Sequence, residues 1–454
     1  VLFLYADDQR ADTIAAWGNP RISTPNLDRL ATEGFSFRSN YNFGSNSGAV
    51  CIPSRAMVHT GRTYLHTPND MAGVATLPQV LGDAGYHTFI TGKWHNGEEA
   101  LLRSYREGAS IMLGGMSDHL RVPLRDVTGN RVLSGERLGG RHSSELFADA
   151  AIRFLDDYDS DDPFYVYVAF TAPHDPRQPP AEYAEPYYER LPALPENFLP
   201  QHPFDNGAMA IRDERLASWP RTEADVQDQL AEYYGLITHL DGQVGRILNA
   251  LADSPHAERT LIIYAADHGL AVGSHGLLGK QNLYEHSVRS PLIVSGPGIP
   301  TGETWAFTYL LDLVPTVAEL TGAGMPHDVD GYSLRALWEG ADERVRDAVF
   351  LAYQDTMRAL RDEQYKIIVY PQINHRQLFD LSRDPDETRD LSTDVEYRPV
   401  LDRMLTRLNL AQQSFGDTQP LEVDDPDPRD VDLSGQDREP DRWQPAWIVD
   451  KYFR

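Results

Sequence analysis

Short, wholly apolar runs recur along this chain, and polar or ionisable residues close each one. Val1-Leu2-Phe3-Leu4-Tyr5 is the first, and Asp7-Asp8 follow it. Similar runs lie at residues 86–91, 164–170, 260–265 and 291–294. A segment that is apolar at every position, rather than at alternate ones, has the pattern of a parallel strand buried on both faces. Between these runs the period changes to that of a helix. Residues 143–157 begin on a serine suited to an N-cap. Residues 229–251 place Leu230, Tyr234, Ile237, Leu240, Val244, Ile247, Leu248 and Leu251 on one stripe. Alternating strand and helix patterns predict an α/β fold, with a large domain built on a mainly parallel central sheet flanked by helices.

From about Val349 the pattern changes. Strand-like segments crowd together at residues 350–353, 357–361, 365–370 and 377–380, and Arg361-Asp362-Glu363-Gln364 reads as a hairpin turn. These predict a smaller C-terminal domain with an antiparallel sheet, followed by a helix near residues 398–413. The expected division is a catalytic domain over 1–345 and a C-terminal subdomain over 346–454. Residues 416–445, rich in Asp, Pro and Arg, read as extended coil. Residues 175–203, rich in proline, read as a long surface loop of the kind that shapes pockets.

Charge narrows the partners. Lys and Arg number 41 against 68 Asp and Glu, a net charge of −27. Such a field disfavours nucleic acid and anionic membrane surfaces, and an anionic substrate would need a local basic pocket. No apolar run is long enough to cross a bilayer. No leader is visible ahead of the first strand, and the expected location is periplasmic or secreted, with the cytoplasm left open. One cysteine, Cys51, stands in the whole chain. A single thiol forms no intrachain disulfide, zinc knuckle or CxxC redox pair, so Cys51 is either buried filler or central to the chemistry.

Candidate chemistry follows from where the polar clusters fall. In open α/β sheets ligands bind beyond the carboxyl ends of the strands. Asp7 and Asp8 follow the first run, Lys93 and His95 the second, His174 the third, and Asp267 and His268 the fourth. Asp7, Asp8 and Asp267 would repel one another in a low-dielectric crevice, which implies a divalent cation. Three carboxylates suit calcium or magnesium, and the His268 nitrogen leaves manganese open. Pro53 suits the first turn of a helix running to Gly61. Cys51 would then sit at its N-terminus, where free N–H groups favour an anion, with Arg55 one turn on. Lys93 and Lys280 add cationic groups. The set reads as a site for a tetrahedral anion such as a sulfate or phosphate ester.

These residues resemble the type I sulfatases of the alkaline-phosphatase-like superfamily, over most of the chain. The resemblance runs through Tyr5-Ala6-Asp7-Asp8-Gln9, Thr24-Pro25-Asn26-Leu27-Asp28-Arg29-Leu30-Ala31, Cys51-Ile52-Pro53-Ser54-Arg55, Thr60-Gly61-Arg62, Gly92-Lys93-Trp94-His95 and Ala172-Pro173-His174. It continues in Asp267-His268-Gly269, Gly279-Lys280 to Glu285, Arg289-Ser290-Pro291, Leu378-Phe379-Asp380-Leu381 and Asp384-Pro385-Asp386-Glu387. The resemblance implies that a maturation enzyme oxidises Cys51 to formylglycine, an aldehyde. Its hydrate would attack the sulfur of a sulfate ester, and its second hydroxyl would then expel sulfate.

The resemblance also assigns roles. Metal ligands would be Asp7, Asp8, Cys51 in its modified form, Asp267 and His268, with Ca2+ expected and Mn2+ or Mg2+ as alternatives. Arg55 would hold the modified residue, and Lys93, His174 and Lys280 would bind sulfate oxygens. His95 would take the proton that triggers release, and His174 would protonate the leaving alcohol, with Lys280 as second choice. Many relatives carry Asn where His268 stands, which keeps a phosphonate monoester or phosphodiester hydrolase open; a non-catalytic carbohydrate-binding relative is the other alternative. The expected substrate is a sulfated mono- or oligosaccharide, cleaved in exo fashion. Specificity is expected in residues 96–140 and 175–220, with Arg103, Arg106, His119 and Arg212 as candidates for gripping a second acidic group.

Overall fold

The computed structural model describes residues 1–454 apart from 326, 327, 341, 342, 434 and 454. Eleven strands precede residue 310: β1 (Leu2–Ala6), β2 (Phe35–Tyr41), β3 (Gly44–Ser45), β4 (His87–Lys93), β5 (Glu107–Met112), β6 (Pro123–Val127), β7 (Arg137–Leu138), β8 (Phe164–Ala169), β9 (Ile262–Ala266), β10 (Leu292–Ser295) and β11 (Gly302–Tyr309). All but β3 form one ten-stranded sheet in the order β11-β2-β10-β9-β1-β8-β4-β5-β6-β7. Its centre, β9-β1-β8-β4-β5, is parallel throughout. Side chains alternate between its faces. Phe3, Tyr5, Tyr165 and Tyr167 enter one core, while Leu2, Leu4, Val166 and Val168 enter the other. This is why the runs are apolar at every position: both faces are covered.

β10 departs from the expectation of a parallel strand, because it is antiparallel to both β9 and β2. The chain leaves β9 at the carboxyl edge, makes only the short helix Glu285–Val288, and re-enters from that edge. Without a crossover to the far edge the strand must run backwards. The predicted helix Ser143–Asp157 forms with those bounds, but its cap is His142 rather than Ser143: His142 Nδ1 accepts from the Ser144 N–H at 3.2 Å, and Ser143 is the first helical residue. The second begins earlier, as Glu223–Asp253, because Thr222 caps it by accepting from the Asp225 N–H at 3.1 Å. Residues 175–203 are not simply a surface loop. Asp175, Arg177 and Gln178 are buried, and the helix Ala181–Glu189 packs on Glu223–Asp253.

The second sheet contains β12 (Val349–Tyr353), β13 (Met357–Arg361), β14 (Tyr365–Tyr370) and β15 (His375–Asp380), antiparallel as expected. A fifth member comes from far upstream: β3 pairs in parallel with β12. Gly44 permits it, since at φ +128° a Cβ there would stand 1.8 Å from the Ala352 carbonyl oxygen. The helix Arg398–Ser414 packs on this sheet. Residues 438–453 then return toward the large sheet and end in the helix Ala446–Tyr452. Among the described residues no helix is long and apolar enough to cross a membrane.

Candidate active site

β9, β1, β8 and β4 are adjacent, and their carboxyl ends deliver the ionisable residues to one place. Asp7 and Asp8 follow β1, Asp267 and His268 follow β9, His174 follows β8, and Lys93 ends β4 with His95 just beyond. Successive residues of a strand point to opposite sides. Asp8 escapes this with a left-handed φ of 67°, so both aspartates serve one pocket. Gly92, at φ +97°, lies where a Cβ would meet the Ala169 carbonyl oxygen at 1.9 Å, so β4 brings Lys93 in only with glycine there.

Cys51 is the first residue of the helix Cys51–Thr60. It is 2% exposed, and its Sγ lies 3.2 Å from His95 Nδ1. Burial pushes its thiol up, while Lys93 and Lys280 pull it down. Ser54 Oγ donates to the Asp267 carbonyl at 2.9 Å, pinning the helix to the end of β9. Arg55 lies behind the carboxylates, with Nη2 3.4 Å from Asp7 Oδ1 and 3.7 Å from Asp267 Oδ2. Its Nη1 donates to the Lys93 carbonyl at 3.2 Å, and its guanidinium rests over the Tyr5 ring.

Each aspartate has a different share of the positive charge. Lys93 Nζ is 2.5 Å from Asp7 Oδ2. Burial alone would raise Asp7, but Lys93 and Arg55 hold it well below the usual carboxylate range. Lys280 Nζ contacts both oxygens of Asp8 at 2.8 Å. Asp267 has only the more distant Arg55, and burial together with Asp7 pushes its carboxyl well above the usual range. Its Oδ1 accepts from the N–H groups of Asp8 and His268, at 2.9 and 3.0 Å. His268 Nδ1 lies 2.9 Å from the Gly269 carbonyl, so the ring donates there and presents a bare Nε2 to Asp8 at 3.4 Å.

The donor set fits a divalent cation. Asp7 Oδ1, Asp267 Oδ2 and His268 Nε2 are buried without hydrogen-bond partners, an arrangement that is costly unless something else satisfies them. One ligand atom from each of Asp7, Cys51 and Asp267, and likewise from Asp8, Asp267 and His268, lie within 4.8 Å of one another. Calcium–oxygen bonds of roughly 2.3–2.6 Å place opposite ligands at about that separation.

A family model described as Sulfatase matches residues 1–323. The chain belongs to the sulfatase family. It is therefore an enzyme, and its reaction is the hydrolysis of sulfate esters. A second model, N-sulphoglucosamine sulphohydrolase, C-terminal, matches residues 273–414. An arylsulfatase of Clostridium perfringens is 28% identical over 449 residues, covering 88% of this chain and 92% of that one. An N-acetylglucosamine-6-O-sulfatase of Bacteroides thetaiotaomicron is 25% identical over 504 residues, covering 93% and 88%. Among solved structures, one in complex with its substrate D-glucosamine-2-N,6-O-disulfate aligns at TM-score 0.77 and 22% identity, covering 93% of this chain and 99% of that one. A phosphonate monoester hydrolase of Agrobacterium radiobacter aligns at 0.74 and 22%, covering 91% and 95%. These last two likenesses concern the fold alone.

The specificity residues expected of this sulfatase stand elsewhere or are already engaged. Arg103 donates to the carbonyls of Val74 and Met71 and to Gln79, bracing one loop. Arg106 precedes the parallel strand β5 and so stands at the opposite edge of the sheet. His119 is buried behind His174, with Nε2 3.2 Å from its carbonyl oxygen. Arg212 is held by Asp175, Asp213 and Asp441. Two site neighbours were not apparent in the sequence. Asp213 lies 3.9 Å from Lys280 Nζ, and Gln281 Nε2 donates to it at 2.7 Å. Asp213 belongs to the short 3-10 helix Arg212–Leu216, which no apolar run announces.

Proposed function

We propose that the enzyme removes sulfate from a sulfated carbohydrate by means of a hydrated aldehyde at residue 51. The position of Cys51 carries this reading: a buried helix-start residue beside His95 and within ligand distance of Asp7 and Asp267. Asp7, Asp8, Asp267, His268 and the modified residue 51 would hold a divalent cation, with calcium preferred for a carboxylate-rich set and magnesium or manganese next. The cation supplies positive charge that polarises the sulfate oxygens, and the hydrated aldehyde supplies the nucleophilic hydroxyl.

The chain's own residues do the rest. Lys93 and Lys280, each braced by an aspartate, point N–H groups at sulfate oxygens and neutralise the charge that builds there. Burial, then Lys93 and Arg55, hold the His95 ring neutral in the empty pocket. The negative charge of a sulfate bound beside it would offset Lys93 and Arg55 and raise the basicity of the ring, which then accepts the proton given up as sulfate departs. His174 Nδ1 is 2.7 Å from the Asp175 carbonyl. This fixes the ring with Nε2 on the Asp8 side, 3.8 Å from that carboxylate, where it hands a proton to the leaving alcohol. In balance, the ester and one water yield the alcohol, sulfate and a proton.

The carbohydrate assignment is supported by the N-acetylglucosamine-6-O-sulfatase relative and by the solved structure holding a disulfated glucosamine. Exo action is supported by the acidic net charge of −27, which favours a short oligosaccharide or a chain end over the interior of a long polyanion. A desulfation ladder from a sulfated oligosaccharide tests it, and internal desulfation counts against it. The maturation enzyme that oxidises Cys51 is the protein partner this chemistry requires. Mass spectrometry of the peptide spanning residue 51, paired with turnover of sulfated mono- and disaccharides, tests the mechanism. Aldehyde in the active fraction is expected; full turnover by Cys51→Ala overturns it. A second reading, phosphonate monoester hydrolysis, is favoured by the Agrobacterium radiobacter neighbour and by the His268 nitrogen at the cation site. A phosphonate monoester assayed beside an aryl sulfate separates the two.

A further inference from the structure

Residues 438–453 lie beyond both matched segments, which end at 323 and 414, yet they reach the wall of the active site. The return is anchored at both ends. Arg438 Nε donates to the Arg215 carbonyl at 3.1 Å. Near the other end, Lys451 Nζ pairs with Asp228 at 2.7 Å and Glu232 at 2.8 Å, on the helix Glu223–Asp253. Between the anchors stand Asp441 and Gln444. Asp441 Oδ2 accepts from Arg212 Nε at 2.9 Å, and Gln444 Nε2 donates to Asp175 Oδ2 at 2.8 Å. Arg212 Nη1 in turn donates to Asp175 Oδ1 at 2.6 Å. The Asp175 carboxylate is thus gripped from two sides, by Arg212 and by the C-terminal segment.

Asp175 is the residue that orients His174. The imidazole Nδ1 lies 2.7 Å from the Asp175 carbonyl oxygen and 3.3 Å from Oδ1 of the same residue. Both contacts depend on where the Asp175 backbone and carboxylate sit. Asp175 is only 6% exposed, so water has little access to replace a lost partner. We propose that Gln444 and Asp441 are positioning residues: through Asp175, and for Asp441 through Arg212, they hold His174 in the orientation that protonates the leaving alcohol. This rests on the proposed role of His174 as that donor. It also accounts for Arg212. Its guanidinium, expected to grip an acidic group on the substrate, joins the C-terminal segment to Asp175 instead.

A donor to the leaving oxygen matters for a poor leaving group and hardly at all for a good one. The test therefore compares an alkyl sulfate with 4-nitrophenyl sulfate, using the full-length, aldehyde-bearing enzyme and its variants Gln444→Ala, Asp441→Ala and Asp441→Glu, with His174→Ala as reference. Displacing a reacting group by a fraction of an ångström to an ångström costs about tenfold to a hundredfold. Gln444→Ala and Asp441→Ala should lower kcat for the alkyl sulfate about tenfold more than for the nitrophenyl ester, with KM little changed. Asp441→Glu, which keeps a carboxylate for Arg212, should recover most of the difference. Equal losses on both substrates, or none, while His174→Ala remains selective, overturn the proposal. If His174→Ala is itself unselective, the role of His174 fails and the proposal falls with it; that single arm tells the two failures apart. The two alanine variants remove different partners of the network, so loss of folding in one leaves the other to decide.

Discussion

Divalent cations should stabilise this sulfatase, and Asp267→Asn should abolish that response without weakening the metal-free fold. The asymmetry of the three carboxylates gives the reason. Lys93 neutralises Asp7 at 2.5 Å and Lys280 neutralises Asp8 at 2.8 Å, whereas Asp267 has Arg55 at 3.7 Å. Burial and Asp7 accordingly push the Asp267 carboxyl up. Asparagine there retains an oxygen for the N–H groups of Asp8 and His268, and its amide can donate toward Asp7. The metal-free protein therefore keeps or gains stability, while the cation loses a charged ligand. At a cation concentration a hundredfold above Kd, linkage stabilises the native state by about 2.7 kcal/mol. With roughly 2.1 cal/mol/K of unfolding entropy per residue, a chain of 454 residues has about 1 kcal/mol/K, so Tm should rise by about 3 °C. Scanning calorimetry after chelator dialysis, repeated across CaCl2, MgCl2 and MnCl2, measures both effects. No rise with any of the three at millimolar concentration refutes the cation site. A full rise in Asp267→Asn, or a metal-free Tm well below wild type, refutes the assignment of Asp267 as the carboxylate that lacks a close cation.

Other expectations follow from single residues. Glu387 is buried, and burial raises its carboxyl to about 7 despite Lys366. The folded state therefore holds a proton that the unfolded state releases near 4.5, and stability falls as pH rises through that window by about 3 kcal/mol at most. Glu387→Gln should flatten the slope between pH 5 and 8 in urea unfolding; an unchanged slope rejects the shift. Lys93→Met leaves Asp7 buried with Arg55 alone, which should cost about 3–5 kcal/mol in the metal-free protein and at least about a hundredfold in turnover; wild-type stability and rate would dismiss the pairing. Gly92→Ala forces β4 away from Ala169 and displaces Lys93. It should cost about a hundredfold in kcat, and near-wild-type kinetics would show that the Lys93 position is not held by that close approach.

How much of this was legible in the chain depended on whether a residue's neighbours are set by a local pattern. Asp7, Lys93, His174 and Asp267 each follow an apolar run, and one rule about parallel sheets carries all of them to the same edge. The Cys51 helix was equally local, since Pro53 and Gly61 mark its ends. The direction of β10 was not, because a strand reads the same whichever way it runs. Nor was the pairing of β3 with β12, which joins residues about three hundred positions apart through two short segments. The charged residues of the specificity loops failed for a related reason. Composition shows that Arg103 and Arg212 are cationic, but not that carbonyls at 71 and 74, or carboxylates at 175, 213 and 441, already engage them.

An acidic chain that must admit an anion resolves the conflict by distance. The net charge of −27 is spread over the whole molecule, and at physiological ionic strength exposed charges are screened beyond about 8 Å. Inside the pocket, Lys93, Lys280 and Arg55 face Asp7, Asp8 and Asp267, all nearly or wholly buried. With Asp267 ionised, as ligation of a cation would require, those formal charges cancel, so the side chains alone would then offer a sulfate ester little net attraction. A divalent cation held by the same aspartates would tip the balance to plus two. The carboxylates then have two functions: they ligate the cation, and they hold Lys93 and Lys280 where a sulfate oxygen can share them. On this account loss of the cation should show in substrate affinity as well as in turnover. An acidic chain can thus remain selective for an anion, because a bound cation would place its positive charge at the end of β1, beside residue 51.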